Sequence, residues 1–264
     1  MRLDVYLQSI GAVKSRTRAK EYIESGYVSV NGKNASKPSL DITDIDVVSI
    51  EVPDGQFVGR GAKKLDGALD SFGIDPSGKA CIDVGASTGG FTDCLLQQGA
   101  SKVFAIDVGY GQLDWKIRSD PRVVVMERTN VRYVTPEDLG EPLDLSVIDV
   151  SFISLRIVLP VVKTFLKQTG QVLCLIKPQF EAGKEAVAKG KGVVRDPAIH
   201  KEVLDDFVSL TREIGFTILG LTFSPVKGPE GNIEFLAHLT LDDKPGIMPD
   251  TASVVSDAHN ALKG

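Results

Sequence analysis

The feature that most restricts the fold of this chain is an apolar run at residues 80–84 that leads directly into a glycine-rich turn. Gly85, Gly89 and Gly90 follow the run, and a helix is expected to open near Phe91. The pattern predicts a buried strand, a tight turn and a helix whose free N–H groups point back at the turn. Because glycine lets the backbone come close to a ligand, a nucleotide-like ligand is expected here.

The turn differs from two well-known nucleotide-binding signatures. Ser87 stands where G-x-G-x-x-G has its second glycine, and no Gly-Lys-Ser/Thr follows, which argues against a P-loop. A second predicted strand, at 103–107, ends in Asp107, roughly 20 residues beyond the turn, a spacing at which an acidic residue can reach ribose hydroxyls. The alternative for Asp107 is a solvated strand end or a helix cap. Turn and acid together favour a cofactor site.

From residue 80 onward, strand patterns alternate with helix patterns. Strands are expected at 80–83, 103–107, 123–127, 143–149, 171–177, 217–223 and 233–239. The alternation predicts a doubly wound α/β sheet of mainly parallel strands. Such sheets bind ligands beyond the carboxyl ends of their strands.

Four charged residues fall at the carboxyl ends of predicted strands: Asp83, Asp107, Asp149 and Lys177. They should therefore share one edge of the sheet. Glu234 lies at the start of the last strand, so it joins them only if that strand runs antiparallel, as a mixed sheet edge permits. We therefore expect an antiparallel edge strand.

Residues 1–52 are expected to form a small α+β domain. The first helix should bury Leu3, Leu7 and Ile10, and the second should begin at the N-cap Ser15 and bury Ala19 and Ile23 before it ends at Gly26. Strands are expected at 27–30 and 47–52, with Asn31-Gly32 as a hairpin turn.

The second of these helices is basic. Its cations are spaced in pairs one helical turn apart: Lys14, Arg16, Arg18 and Lys20. Such a surface can lie along a phosphate backbone without reading its sequence. The alternative is an ordinary solvated helix face, because Glu21 and Glu24 follow immediately.

Three further divisions complete the chain: a linker at 53–61 that is rich in proline and glycine, a large domain at 62–242, and a tail at 243–264 with a short helix near 254–262. Residues 180–192 are rich in lysine, glycine and alanine and lack an apolar period. A loop or weak helix that covers the site is expected there.

Composition excludes several classes of protein. The net charge of -5 gives no overall basic field, so contact with nucleic acid needs a local basic patch. Three cysteines without a C-x-x-C pair predict buried thiols rather than disulfides or a zinc site, and no metal ligand is expected. Arg2 and Asp4 interrupt any signal peptide, and no apolar run reaches the roughly 18 residues of a membrane span. A cytoplasmic location without membrane contact is the expectation.

The small domain carries two motifs, R-L-D-x-x-L near its start and S-R-T-R-A-K-x-x-I-x-x-G-x-V-x-V-N-G after it. Together they resemble the RNA-binding module first seen in a small-subunit ribosomal protein, across nearly all of residues 1–50. The resemblance implies that Arg16, Arg18 and Lys20 face structured RNA.

A set of short motifs continues through the large domain: RGAKKL at 60–65, DVGASTGGFT at 83–92, AIDVGYGQL at 105–113, RTNVR at 128–132, DVSF at 149–152, KPQFE at 177–181 and GNIEF at 231–235. With them this domain resembles the S-adenosylmethionine-dependent methyltransferases of the FtsJ type. The whole chain resembles the TlyA or haemolysin A family of rRNA 2′-O-methyltransferases. The resemblance implies a Rossmann-like methyltransferase fold, S-adenosylmethionine as cofactor, and ribosomal RNA or ribosomal subunits as partner, with a cytidine ribose as substrate and no obligate protein partner.

By the same resemblance, a catalytic tetrad is carried by Lys64, Asp149, Lys177 and Glu234. A ribose hydroxyl is a poor nucleophile that must be oriented and must lose a proton as it attacks. A lysine can accept that proton only when burial and a second nearby cation lower its pKa. Lys177 is therefore interpreted as the general base and Lys64 as its like-charged neighbour, with the two carboxylates holding them. Taken singly, each of these residues is equally consistent with a solvated or paired strand end.

The resemblance also assigns the cofactor contacts. The turn residues wrap the methionine and ribose portions: Gly85, Ser87, Gly89, Gly90 and Phe91. Asp107 takes the ribose hydroxyls, Asn130 lies on the adenine side, and Asp83 orients the methionine amino group.

Three other functions were compared with this one. A base N-methyltransferase of the Asn-Pro-Pro-Tyr group is disfavoured, because the position after the fourth strand reads Asp149-Val150-Ser151-Phe152. A non-catalytic RNA-binding or ribosome-assembly protein would have no need for the tetrad. A membrane-lytic haemolysin finds no support in a signal peptide, a spanning helix or a long basic amphipathic segment.

Overall fold

The structure is a computed structural model that describes residues 1–10, 12–13, 16–24, 26–43, 45–50, 57–59, 61–183, 187, 190, 192–228 and 230–262. Several predictions concern positions outside these described residues. They include those for Lys14, Ser15 and the side chain of Arg18, together with much of the 53–61 linker and part of the 180–192 segment.

The small N-terminal domain packs two helices on a three-stranded antiparallel sheet. The helices are α1 (Leu3–Ser9) and α2 (Arg16–Glu24), and the sheet has the order β2-β1-β3, with β1 (Val28–Val30), β2 (Lys33–Asn34) and β3 (Val48–Ile50). Asn31 and Gly32 both have positive φ angles, 53° and 74°, as a two-residue type I′ hairpin requires. The predicted turn is thus confirmed.

The core of this domain contains Leu3, Leu7 and Ile23, as predicted. The prediction that Ile10 shares their face is wrong, because Ile10 is exposed. The physical reason is that α1 ends at Ser9, so Ile10 no longer follows the helical period.

The large domain contains one seven-stranded sheet, with the order β6-β5-β4-β7-β8-β10-β9. Its strands are β4 (Ala80–Val84), β5 (Lys102–Ile106), β6 (Val123–Met126), β7 (Leu143–Ile148), β8 (Leu166–Ile176), β9 (Thr217–Phe223) and β10 (Phe235–Thr240). Strands β6, β5, β4, β7 and β8 pair in parallel. The predicted doubly wound α/β sheet is confirmed.

The last strand, β10, runs antiparallel to both of its neighbours, β8 and β9. The predicted direction is correct, but the predicted edge position is wrong, since β9 takes the edge and β10 lies between β9 and β8. Antiparallel neighbours need only a loop between them, whereas a parallel return would need a crossover. The chain therefore reaches β10 directly from β9 through a loop, and β10 takes the position between β9 and β8.

Helices cover both faces of the large sheet. They are α3 (Ala62–Phe72), α4 (Gly90–Gln97), α5 (Trp115–Arg118), α6 (Pro136–Leu139), α7 (Leu155–Phe165), α8 (Pro178–Glu181), α9 (Pro197–Glu213) and α10 (Thr251–Ala261), with a 3-10 turn at Val131–Tyr133. Successive strand residues enter opposite cores: Cys81 packs with α3 and α4, and Ile82 packs with α7 and α9. This two-residue alternation is what a sheet buried on both faces requires.

The C-terminal helix α10 is docked on the large domain. Val255 and Ala258 are buried in the same core as Phe207 of α9. The Thr251 hydroxyl donates to Asp205 Oδ1 at 2.6 Å, and the His259 and His200 rings share a hydrogen bond of 2.9 Å. The helix predicted near 254–262 is therefore present, with an earlier start, and it is packed.

Candidate active site

The glycine turn brings two strand ends into close backbone contact. Gly85 has a φ angle of +92°, and a Cβ atom there would lie 2.5 Å from the backbone oxygen of Asp149. The Asp149 N–H donates to Val84 O at 3.0 Å. Only glycine permits this approach, so the turn after β4 fixes where the Asp149 loop leaves β7.

A cavity of about 670 Å³ opens beside this turn. Its wall includes polar groups from the ends of β4, β5 and β7 and from the following loops: Gly85, Ser87, Asp107, Gln112, Asn130, Arg132 and Asp149. Apolar side chains such as Val108, Val150 and Ile157 complete it. The size lies within the usual range of about 300–1,000 Å³ for small-molecule sites.

Asp107 lies in the cavity wall and holds the turn. Its Oδ2 accepts from the Ser87 N–H at 2.8 Å, and its Oδ1 accepts from the Gly109 N–H at 2.7 Å. Each carboxylate oxygen keeps a further lone pair for a ligand hydroxyl. A carboxylate that follows β5 and faces a cavity of nucleoside size could accept hydrogen bonds from the ribose hydroxyls of S-adenosylmethionine.

Asn130 also lines the cavity, and its amide oxygen already accepts hydrogen bonds. Its Oδ1 accepts from the backbone N–H and from Nε of Arg132, each at 3.1 Å. This fixes the orientation of the amide and leaves its two N–H groups to donate.

Four predicted cofactor residues do not line this cavity: Asp83, Gly89, Gly90 and Phe91. Asp83 is fully buried, and its Oδ2 accepts from the Thr92 hydroxyl at 2.6 Å. Burial raises the pKa of Asp83 to about 7. Its Oδ1 has no hydrogen-bond partner among the described residues.

The four tetrad residues form two lysine–carboxylate ion pairs. Lys177 Nζ lies 2.5 Å from Asp149 Oδ1, and Lys64 Nζ lies 2.6 Å from Glu234 Oε2. Lys64 is in the first turn of α3, where a cation opposes the helix dipole. The buried carboxylate of Glu234 compensates this unfavourable placement.

The register of the sheet places the two pairs next to each other. Phe235 of β10 pairs with Ile176 of β8, so Glu234 and Lys177 are the next residues across the two strands. The two ion pairs therefore lie at the same end of β8 and β10, and they are called the charged cluster below. Asp149 also lines the cavity.

Sequence reasoning gave no role of their own to several residues that shape this site. Ser151 Oγ accepts from Lys177 Nζ at 3.3 Å, and Glu181 bonds Ser154 behind the cavity. Phe152 is 91% exposed at the rim, 5.0 Å from the Phe180 ring. The only signal was their membership of the DVSF and KPQFE motifs, since strand and helix periods do not determine loop geometry.

The described cations of α2 are largely exposed and partly paired. Arg16 Nη2 lies 2.9 Å from the buried Asp4, which also pairs with Arg2, and Lys20 Nζ lies 3.6 Å from Glu24. The hydrogen bond from Arg2, with a further one from Arg16, lowers the pKa of Asp4 to about 2. More than half of the Arg16 and Lys20 side chains remains open to solvent.

Cys81, Cys94 and Cys174 are buried thiols, as predicted. Among the described residues, no group of three or more histidine, cysteine or acidic side chains is arranged to hold a metal ion. Within the same part of the chain, no helix combines the length and apolar character needed to cross a membrane.

The sheet order, the glycine turn after β4 and the acid after β5 define a Rossmann-like α/β fold with a nucleotide-type site. A solved candidate S-adenosylmethionine-dependent methyltransferase from Listeria monocytogenes shares this fold, with a TM-score of 0.53 over 68% of this chain and 97% of that chain, at 16% identity. The family model for FtsJ-like methyltransferases matches residues 57–241, and that for the S4 domain matches residues 1–48. The chain belongs to the FtsJ-like methyltransferase family and has an N-terminal S4 domain.

Similarity to named relatives extends over most of the chain. The 16S/23S rRNA (cytidine-2′-O)-methyltransferase TlyA of Mycobacterium tuberculosis (strain ATCC 25618 / H37Rv) is 45% identical over 240 residues, which cover 90% of this chain and 89% of that protein. A solved candidate hemolysin from Streptococcus thermophilus is 42% identical, with a TM-score of 0.76, and the match covers 100% of this chain and 97% of that one.

Proposed function

We propose that this methyltransferase uses S-adenosylmethionine to methylate a ribose 2′-hydroxyl, that of a cytidine, in ribosomal RNA. The observation that carries the proposal is that the Lys177–Asp149 and Lys64–Glu234 pairs lie at the same end of β8 and β10, where Asp149 lines the cavity. The likeness to TlyA of Mycobacterium tuberculosis supports the choice of substrate. A ribosomal substrate also implies that the protein acts in the cytoplasm.

The cofactor contacts follow from the geometry of the wall. Asp107 would hold the ribose hydroxyls, and Asn130 would donate to the adenine side from its oriented amide. The turn residues Gly85 and Ser87 line the cavity, while Gly89, Gly90 and Phe91 would shape it from behind. Asp83 would act on the methionine amino group through its unpartnered oxygen. S-adenosylmethionine, when bound, supplies an electrophilic methyl group.

The charged cluster supplies the chemistry on the RNA side. Lys177 Nζ, after giving up its own proton, would accept the proton of the 2′-hydroxyl as the methyl group moves to that oxygen, with Asp149 and Ser151 fixing the position of the amine. Lys64 would be the neighbouring positive charge, held in place by Glu234. Replacing water by these fixed groups avoids reorganisation at the moment of reaction.

Two surfaces would bind the RNA. The S4 domain would contact phosphates through α2, where Arg16 and Lys20 are exposed. Arg18 belongs to the same helix, and Lys14 precedes it in the sequence. Phe152 is exposed in the cavity wall, and the Arg128 guanidinium lies 4.0 Å from the centre of the exposed Tyr110 ring. Exposed aromatic rings of this kind can stack on an unpaired base.

The matches at residues 1–48 and 57–241 support a division of the chain into an RNA-binding domain at 1–52, a linker at 53–61 and a methyltransferase domain at 62–242. The segment at 243–264 then includes the docked helix α10. These domain boundaries are part of the proposal.

The test is methyl transfer from labelled S-adenosylmethionine to ribosomal subunits that lack the modification, followed by digestion and identification of the labelled nucleoside. Wild type is compared with Lys177→Ala and with a control, Lys201→Ala, which removes an exposed lysine paired with Asp205. Label on a cytidine ribose that disappears only in Lys177→Ala, with cofactor binding retained, is the expected result. Cofactor and RNA binding by wild type without any transfer would instead favour the non-catalytic RNA-binding protein.

A further inference from the structure

The Lys177–Asp149 pair joins two segments that both lie outside the sheet. Asp149 begins the loop at 149–154 after β7, and Lys177 lies between β8 and α8. The strands themselves are neighbours, with Ile148 paired to Cys174. A site built on loops is only as precise as the contacts that support those loops. The position of Lys177 relative to Asp149 therefore depends on the contacts between these two segments.

Glu181, the last residue of α8, reaches across to the segment that carries Asp149. Its Oε2 accepts from the Ser154 hydroxyl at 2.6 Å, and its Oε1 accepts from the Leu155 N–H at 2.9 Å. Ser154 is the N-cap of α7, and its hydroxyl accepts from the Arg156 N–H at 3.1 Å. The first turn of α7 is thus capped from α8, and a carboxylate there is favoured by the helix dipole.

A second contact joins the same two segments. The Phe152 and Phe180 rings lie 5.0 Å apart, and Lys177 Nζ lies 5.9 Å from the centre of the Phe180 ring. Phe152 has a φ angle of +63°. A non-glycine residue keeps this left-handed conformation only where its surroundings determine it. The loop after β7 therefore depends on external contacts for its shape.

Glu181 lies outside the wall of the large cavity. It borders a separate space of about 100 Å³ between α8 and α9, together with Val203, Phe207 and Leu210. Burial raises the pKa of Glu181, while the hydrogen bond from Ser154 acts in the opposite direction. The Glu181 carboxylate makes two hydrogen bonds and does not line the large cavity. Any effect that it has on the reaction is therefore exerted through the residues that it binds.

We propose that Glu181 is a positioning residue that, by binding Ser154 and Leu155, holds the Asp149 loop in register with Lys177. This inference rests on the proposed function, because it concerns the same charged cluster. Its effect should be larger on the rate of transfer than on cofactor affinity, because Glu181 contacts the loop that carries Asp149, whereas Asp107 and the glycine turn hold another part of the cavity wall.

The experiment compares wild type, Glu181→Ala, Glu181→Gln and the control Glu202→Ala, an exposed glutamate of α9. Single-turnover transfer to ribosomal subunits is measured at saturating cofactor, and cofactor affinity is measured by calorimetry. We expect Glu181→Ala to slow transfer at least about tenfold, because small misplacements of reacting groups are costly. Its cofactor Kd should rise by no more than about threefold, since Asp107 and the glycine turn keep their contacts.

The conservative variant separates positioning from bulk stability. The glutamine amide can accept from the Leu155 N–H and donate to Ser154 Oγ, so Glu181→Gln should transfer within about threefold of wild type. A wild-type rate in Glu181→Ala would overturn the inference. So would a Glu181→Gln protein as slow as Glu181→Ala, or a weakened cofactor affinity with an unchanged saturated rate.

Two further outcomes are distinguishable. If wild type transfers nothing, the proposed function itself falls, and the inference falls with it before any variant is compared. If Glu181→Ala does not fold, Ser154→Ala removes one of the two hydrogen bonds to Glu181, together with the N-cap bond to the Arg156 N–H, and should slow transfer about three- to fivefold. A wild-type rate in Ser154→Ala together with a slow Glu181→Gln would then contradict the positioning role.

Discussion

Lys64 and Glu234 are 170 residues apart in the chain, and they form a buried ion pair with 2.6 Å between Lys64 Nζ and Glu234 Oε2. Lys64 comes from the first turn of α3, and Glu234 immediately precedes β10. A buried pair is costly to break, because the remaining charge has no water to solvate it. The helix before the sheet and the last strand of the sheet are therefore linked through one charge pair.

Removing one member of this pair should destabilise the fold. In Lys64→Met, Glu234 stays buried without its counter-charge, so the free energy of unfolding should fall by about 3–5 kcal/mol, and methyl transfer should be lost. Urea denaturation measures the first effect and the labelled-cofactor assay measures the second. The double variant Lys64→Met/Glu234→Gln should recover most of the stability but none of the transfer. Additive losses in the double variant would show that the two side chains are not coupled.

Asp107 should control cofactor affinity. Asp107→Ala removes the carboxylate from the cavity wall and also the acceptor of the Ser87 and Gly109 N–H groups. The Kd for S-adenosylmethionine should rise at least about tenfold, equivalent to about 1.4 kcal/mol. Isothermal titration calorimetry measures this, with the exposed Asp257→Asn of α10 as the control. An unchanged Kd would remove Asp107 from the cofactor site.

Gly85 offers a test of the contact between the turn and the Asp149 loop. Gly85→Ala would place a Cβ atom 2.5 Å from Asp149 O, so the loop must move, and both cofactor binding and transfer should be lost. Gly140 is a matched control, because it also has a positive φ angle, +73°, but a Cβ atom there meets nothing within 4 Å. Gly140→Ala should cost only the left-handed backbone strain of about 1–2 kcal/mol and should leave transfer intact. Equal losses in both variants would mean that strain, and not the contact, matters at Gly85.

His238 should make stability depend on pH. Burial lowers the pKa of His238 in the folded protein to about 4, from 6.5. Between these values the unfolded chain binds a proton that the folded protein does not, so this residue's contribution to stability is lost as the pH falls from about 6.5 to about 4. Urea denaturation across this window should show His238→Gln losing less stability than wild type, with a slope difference of up to about 1.4 kcal/mol per pH unit. Parallel pH profiles for the two proteins would contradict the prediction.

The sequence was enough to predict that the strand ends share one edge of the sheet. The carboxyl ends of parallel strands lie at the same edge whatever the order of the strands. Apolar runs ending in Asp83, Asp107, Asp149 and Lys177 each marked a parallel strand. The position of β10 was not predictable in this way. A strand's neighbours depend on contacts with distant parts of the chain, and the apolar pattern of β10 is the same at the edge or one place inside it.

The pairing within the charged cluster was also beyond the sequence. Which lysine meets which carboxylate depends on side-chain directions at the start of α3 and at the start of β10. The role of Glu181 depends on a loop that contains Phe152 in a left-handed conformation, and no period in the sequence indicates that conformation. The hydrogen bond that Asp83 accepts from the Thr92 hydroxyl is likewise a side-chain contact that no period in the sequence indicates.

The insertion of β10 between β8 and β9 has a consequence for incomplete copies of the chain. A fragment that stops before Phe235 would leave the facing sides of β8 and β9 with unpaired backbone groups, because β10 pairs with both. Open strand edges of this kind recruit other chains. We expect a 1–234 fragment to aggregate, as light scattering against the full chain would show. The strand that brings Glu234 to the site thus also covers two strand edges that would otherwise be open.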